Sequence, residues 1–279
     1  MTLVEMRGAE QIQKTVGMRL FTHLRVQIVR FNIYDILREA PLVQWSTQAM
    51  SLRSVSDAKA DELVDLVARV SQVVVDAETQ DDIKTITEAT AVDQLLLQWQ
   101  QDLPPRWAYR RAQPPPTRSR NQADAEALFF DETYHIYPDA WACNIWNFYR
   151  VGRILLHRLI YVRIQNNNYP TSHSTNEALS NLAREIAQSV PYALGHIGSA
   201  REAEVELTSS VNFLGGFIVM WPLFLASDVA PLGSALREWA IERLEVIGHC
   251  MGIGKAQFMA RVLRNARQFE AKLTSGEIT

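Results

Sequence analysis

The residues best suited to ligand binding are aromatic and imidazole side chains concentrated between positions 134 and 149. Small-molecule sites are typically apolar clefts in which a few polar tips orient the ligand, and tyrosine, tryptophan and histidine supply both features. We therefore predict a ligand pocket that also includes a tyrosine farther along the chain. Its candidate residues are His135, Tyr137, Trp141, Trp146, Tyr149 and Tyr192. The competing interpretation is that these rings only fill the core.

The sequence does not group its metal-ligating side chains. The six histidines are scattered, and the two cysteines, Cys143 and Cys250, cannot form a four-cysteine zinc site. We interpret both cysteines as small buried apolar side chains in a reducing compartment. The acidic stretch 76–82 resembles half of the magnesium site of terpene cyclases, but the second half is missing. Asp81 and Asp82 are instead predicted to favour the start of a helix. No metal and no cofactor are predicted.

Two glycine-containing segments resemble catalytic or phosphate-binding motifs only superficially. Residues 195–199 place their serine in the wrong position for a nucleophile elbow. Residues 252–255 lack the first glycine of a phosphate-binding loop, and Ala256 stands where its serine or threonine would be. We interpret 252–255 as a break between two packed helices, and we predict no catalytic residue.

Helical periodicity dominates the chain. Trp141, Ile145, Phe148 and Leu155 belong to one apolar stripe with the spacing of a helix, and similar stripes occur at 63–74, 92–99, 179–190 and 259–269. Because no Asn-Gly or Asp-Gly hairpin signal occurs, we predict an all-α, compact multi-helix bundle of about nine to eleven helices. It is expected to form a single domain over residues 1–279, with a flexible loop rich in proline and arginine over 110–133.

The composition is that of an ordinary globular protein, with 47% hydrophobic and 21% charged residues and a formal net charge of −3. So small a charge disfavours general binding to nucleic acid, which needs a positive field. The opening residues lack a signal-peptide pattern, and the longest apolar run, Phe213 to Ala226, is shorter than the roughly 20 residues of a bilayer span. We expect a soluble intracellular protein without membrane contact.

Several aromatic- and proline-containing segments follow one another in a specific order. They are LPPRWAY at 103–109, YHIYPDAWACNIWNFYR at 134–150, RILLH at 153–157, SVPYALG at 189–195, the block 216–226 with WPL at 221–223, and the stretch 247–256 with its glycines. Together they resemble the C-terminal regulatory domain of fungal zinc-cluster transcription factors, over about residues 17–270. The opening Leu20 to Pro41 also resembles an early helix pair of that domain.

This resemblance implies an all-α domain of nuclear regulators of fungal genes, often genes of secondary metabolism. In such proteins a binuclear zinc cluster held by six cysteines reads the DNA. The present sequence has two cysteines and opens inside the similar region, so we expect no zinc-cluster region in it. DNA contact is therefore expected only through such a region, absent from this chain, and a nuclear location is expected by the same resemblance.

We predict a non-catalytic regulatory domain of a fungal transcription regulator, with a metabolite as small-molecule effector near Trp141 and Trp146. Its predicted partners are proteins of the transcription machinery or a second copy of the chain. Two alternatives remain open. One is a biosynthetic enzyme of the cyclase or isomerase type, whose pocket would need a residue such as His135 or His157 with a strongly shifted pKa. The other is a stand-alone interaction protein built on the same helices.

Overall fold

The computed structural model describes residues 55–114, 128–167, 173–195 and 213–275. The segment Leu20 to Pro41, for which we predict a helix pair, lies outside these ranges. The described residues separate into two compact units, one reaching Leu103 and the other starting at Pro104. None of the helices within the described ranges combines the length and the hydropathy needed to cross a bilayer.

The first unit contains two helices, α1 (Val55–Asp76) and α2 (Asp82–Gln101). Most of the stripe predicted over 63–74 is confirmed, since Leu63, Val67 and Val70 are fully buried, whereas Val74 is half-buried. Trp99 on α2 is also buried, and its indole Nε1 donates a hydrogen bond to the backbone oxygen of Lys59 over 2.8 Å. One ring thus fills the space between the two helices and ties their backbones together.

Local signals in the sequence set the ends of α2. Asp81 is the N-cap, and its carboxylate accepts a hydrogen bond of 2.9 Å from the backbone N–H of Lys84. This confirms the predicted role of Asp81 at the start of a helix, where the first N–H groups lack partners. The helix ends at Gln101, shortly before Pro104 and Pro105, which cannot continue it.

The second unit begins with a short 3-10 helix, Pro105–Trp107, and two strands, β1 (Arg110–Ala112) and β2 (Tyr134–Ile136). Five helices follow. They are α3 (Ala140–Asn166), α4 (His173–Ala193), α5 (Phe213–Val229), α6 (Ala235–Cys250) and α7 (Gly254–Ser275). The strands pair antiparallel, with Arg111 opposite His135. Helix α3 packs against α4 and α5, α4 also packs against β2, and α5, α6 and α7 pack in sequence.

Helix α3 is buried more widely than its predicted single stripe. Every residue from Ala142 to Gly152 is buried, and α3 packs against both α4 and α5. The helix reaches solvent at its first residue, Ala140, and again toward its C-terminus, where Val162 is exposed. The first half of α3 therefore forms part of the interior, and a polar side chain there must find its partners inside the protein.

The start of α3 depends on a cap that can be tested. Asp139 accepts a 2.7 Å hydrogen bond from the backbone N–H of Ala142. We expect Asp139→Ala to lower the free energy of unfolding by about 1 kcal/mol, because the helix loses this partner. Glu132→Ala removes the same charge from another exposed position in this unit and serves as the control. Equal unfolding free energies of the two variants in urea would contradict the assignment of the cap.

A buried arginine caps the C-terminus of α5. Arg237 on α6 donates from its terminal nitrogen to the backbone oxygens of Ser227 and Ala230, over 3.0 and 3.3 Å. These carbonyls lie in and just beyond the last turn of α5, where no intrahelical donor is available. Gly233, with φ +71°, makes the turn that brings α6 back.

The junction between α6 and α7 confirms the interpretation of residues 252–255 as a break between packed helices. Gly252 has φ +68°, a conformation that favours glycine. Gly248 allows the first turn of α7 to approach α6, since a Cβ at this position would lie 3.0 Å from the backbone nitrogen of Gln257. No phosphate-binding loop is formed from these residues, because they follow a helix instead of a strand.

Three sequence predictions can be compared with the structure. The fold is mostly helical as predicted, with one two-stranded sheet in the described ranges. These ranges contain seven α-helices, so the predicted nine to eleven helices of the whole chain are not confirmed. Strand β1 occupies the start of the predicted flexible loop at 110–133, of which residues 115–127 lie outside the description. Cys143 is buried as predicted, but Cys250 is exposed because it is the last residue of α6.

Candidate functional site

One of the buried arginines of the second unit, Arg150, organises a cluster of polar and aromatic side chains. Arg150 lies in the fully buried half of α3 and has no exposed surface. Its Nε donates to Glu185 Oε2 over 3.0 Å, and one terminal nitrogen donates to the hydroxyl of Tyr137 over 2.8 Å and to Asn147 Oδ1 over 3.1 Å. The guanidinium group therefore links α3 and α4 to Tyr137, the residue that follows β2, as its planar fork of donors allows.

The ion pair between Arg150 and Glu185 lies at the edge of the interior. Glu185 is 28% exposed, and its second carboxylate oxygen is 3.8 Å from the terminal nitrogen of Arg111 on β1. Because Arg150 is fully buried and Glu185 is not, water partly compensates one side of the pair. Two arginines and one glutamate give this place a positive local charge.

His135 is the second buried polar group of the site. Its Nδ1 lies 3.1 Å from the hydroxyl of Tyr137 and 3.5 Å from a terminal nitrogen of Arg150. Because an arginine can only donate, Nδ1 is the acceptor of this pair, and the neutral ring carries its hydrogen on Nε2. Nε2 is buried, and although Gln188 is near enough to affect the ring, no described atom completes a hydrogen bond to it.

Burial holds three titratable groups in their neutral forms. Desolvation, assisted by the positive charges of Arg150 and Arg111, lowers the pKa of His135 to about 2. Burial raises the pKa of Tyr137 well above its usual value, and it raises the pKa of the Cys143 thiol to about 12. At neutral pH the site thus presents hydrogen-bond donors and acceptors, with its charges confined to the arginines and to Glu185.

Aromatic rings enclose the guanidinium group of Arg150. Its central carbon lies 5.3 Å from the ring of Tyr109, 5.6 Å from that of Trp146 and 6.0 Å from that of Tyr137, within the range of cation–π attraction. Trp146 is fixed by a 2.8 Å hydrogen bond from Nε1 to the backbone oxygen of Trp107. The 3-10 helix therefore forms one wall of what we call the Arg150 cluster, namely Tyr109, His135, Tyr137, Trp146, Arg150 and Glu185.

The structure brings five of the six predicted pocket residues into one chain of ring contacts. His135, Tyr137 and Trp146 belong to the Arg150 cluster. Tyr192 lies against Tyr137 with 5.3 Å between ring centres, and Tyr149 lies edge-on to Trp146 at 5.7 Å. Trp141 is half-buried in the first turn of α3. A pocket among these residues remains a prediction.

Sequence reasoning missed the residues that organise the site. In the sequence analysis Arg150 and Tyr109 are only the last residues of two aromatic segments, 134–150 and 103–109. One signal was available for Arg150, because a charged residue flanked by apolar and aromatic positions on a long helix must be paired inside the protein. Nothing in the sequence indicates Glu185 as its partner, since the pairing depends on how α4 packs against α3.

Fold and site together define a mostly helical protein whose second unit contains a buried arginine within an aromatic shell. No group of three or more histidine, cysteine, aspartate or glutamate residues suited to a metal ion occurs in the part of the chain that the structure describes.

The chain is similar to a curated fungal regulator. It is 29% identical over 195 residues to the transcription factor dbaG of Emericella nidulans, an alignment that covers 66% of this chain and 45% of the relative. The predicted resemblance to fungal transcription factors is thereby confirmed. The chain spans less than half the length of that relative. No family model matches the chain, and no solved structure matches it significantly.

Proposed function

We propose that this chain is a non-catalytic regulatory module of a fungal transcription regulator. The similarity to a transcription factor over 195 residues is the observation that carries the proposal. In this account DNA recognition belongs to a zinc-cluster region, which the two cysteines of this sequence cannot form. The module acts in the nucleus, through proteins of the transcription machinery or a second copy of itself, and genes of secondary metabolism are its expected targets.

The chemistry of the Arg150 cluster supports binding over catalysis. A general acid or base works best when its pKa lies near the operating pH. The pKa of His135 is about 2 and that of Cys143 about 12, so neither group exchanges protons readily at neutral pH. His135 does have the strongly shifted pKa that the enzyme alternative requires, but the shift makes it a weak base. The same neutral groups are suited to hold a ligand by hydrogen bonds.

The position of the cluster supports a sensing role. Arg150 on α3 is bonded to α4 and to Tyr137 just after β2, so a ligand that alters its contacts changes how these three parts of the unit pack. Such a ligand shifts the protein between two arrangements only if it binds one of them more tightly. We place the effector site at this cluster, next to Trp146, whose fluorescence provides a direct signal.

The regulatory function can be tested by tethering. The full chain is fused to a heterologous DNA-binding domain, and transcription of a reporter bearing its operator is measured in a fungal host. We expect the reporter to rise or fall relative to the DNA-binding domain alone. A fusion of Arg150→Met provides a comparison in which the cluster is broken. Reporter output identical to that of the DNA-binding domain alone, from a wild-type fusion that accumulates normally, would contradict the regulatory proposal.

A further inference from the structure

The ring of Tyr109 lies within the Arg150 cluster and has other side chains of the cluster on several sides. Its ring centre is 4.2 Å from the ring of His135 and 4.9 Å from that of Trp146, which it meets edge-on. The guanidinium carbon of Arg150 lies 5.3 Å away. A planar aromatic ring satisfies all of these neighbours at once, because it presents its face to a cation and its edge to another ring.

Tyr109 is also the member of this group that is held least firmly. It is half-buried, whereas His135, Tyr137 and Trp146 are buried, and its neighbours Ala108 and Arg110 are exposed. It precedes β1, which pairs with β2 over three residues. A two-stranded sheet of this length is a weak constraint on the backbone. Withdrawal of the Tyr109 ring therefore requires little of the fold to change.

A buried donor with poorly placed partners lies beside this ring. His135 has no exposed surface, Gln188 is near enough to interact with it, and no described atom forms a hydrogen bond of ordinary geometry to its Nε2. A buried N–H group without a well-placed acceptor is costly, so a molecule that brings an acceptor oxygen to His135 Nε2 gains free energy on binding. The nearby charges of Arg111 and Arg150 favour the same acceptor-rich chemistry.

We propose that the place filled by the Tyr109 ring is a binding site for a planar aromatic molecule that carries an acceptor oxygen, and that Tyr109 occupies it when no such molecule is bound. This inference rests on the proposed function, since it names the chemical class of the effector. The ligand ring packs between Arg150, Trp146 and His135, and its oxygen accepts a hydrogen bond from His135 Nε2. Tyr109 is thus a built-in competitor of the effector.

The experiment uses the full chain and three probes of similar size: benzoate, 4-methylphenol and toluene. Binding is measured by titration calorimetry for the wild type, Tyr109→Ala and Tyr109→Phe. We expect Tyr109→Ala to bind the two oxygen-bearing probes at least about tenfold more tightly than the wild type, because the competing ring is gone. Tyr109→Phe keeps the ring and is expected to bind as weakly as the wild type.

Toluene is the control that distinguishes a specific binding site from a nonspecific apolar cavity, since an engineered apolar cavity can bind an aromatic hydrocarbon. We expect Tyr109→Ala to prefer the neutral 4-methylphenol over toluene by about tenfold, and His135→Phe added to it to abolish that preference. Circular dichroism establishes that each variant is folded. Equal affinity for toluene and both oxygen-bearing probes, or no gain in Tyr109→Ala, would overturn the proposal. Because this binding assay involves no transcription, its failure is distinguishable from a silent tethered reporter.

Discussion

Replacing Arg150 with methionine is expected to lower the free energy of unfolding by about 3 kcal/mol. The substitution leaves Glu185 without its buried partner, and it removes the donors that hold Tyr137 and Asn147. We expect the lower part of the range known for broken buried ion pairs, because Glu185 is 28% exposed and water can compensate part of its charge. Urea denaturation followed by tryptophan fluorescence measures the change.

A matched control lies two turns along the same helix. Arg158 also forms a salt bridge, with 2.6 Å between its terminal nitrogen and Asp228 Oδ2, but its side chain is 50% exposed. Exposed ion pairs contribute little, so Arg158→Met is expected to cost less than about 1 kcal/mol. If Arg150→Met is no more destabilising than Arg158→Met, the guanidinium group of Arg150 does not organise this interior.

Acidification is expected to destabilise the wild type by about 2 kcal/mol more than His135→Gln between about pH 7.5 and about pH 5. In the folded protein the pKa of His135 is about 2, so the ring stays neutral throughout this interval. In the unfolded chain it binds a proton below its ordinary pKa of 6.5. Proton binding therefore stabilises the unfolded state as the pH falls, and the contribution of His135 to the stability of the folded protein is complete only above about pH 6.5.

The variant isolates this effect from other groups that titrate in the same interval. His135→Gln cannot bind the proton, whereas carboxylates such as Glu245 contribute equally in both proteins. Urea denaturation at the two pH values gives the change in the free energy of unfolding for each protein, and these two changes are compared. A wild type whose stability falls no faster than that of His135→Gln would mean that His135 is accessible to protons in the folded state.

The helices of the first unit illustrate what the sequence determines by itself. The spacing of Leu63, Val67 and Val70 predicts the buried face of α1, and Asp81 with Pro104 delimits α2. These signals act over one or two helical turns, so they do not depend on the rest of the fold. Strands β1 and β2 give no such signal, because three residues are too few for an alternating pattern to stand out.

The candidate site shows the same difference between what local sequence indicates and what tertiary packing decides. The density of aromatic residues around His135, Tyr137 and Trp146 predicts that they share a region, and the structure brings them together. The pairing of Arg150 with Glu185 joins residues 35 positions apart, through the packing of two helices. Tyr109 reaches the cluster only because β1 pairs with β2. Contacts of this kind follow from tertiary packing and not from local spacing, which is why sequence reasoning did not find them.

The most direct test of the account is the output of the tethered reporter with Tyr109→Ala and Tyr109→Phe in place of the wild type. If the Arg150 cluster controls transcription, opening it should alter the output of the Tyr109→Ala fusion, whereas Tyr109→Phe should match the wild type. Equal output from all three fusions, each different from the DNA-binding domain alone, would contradict the assignment of the effector site to this cluster.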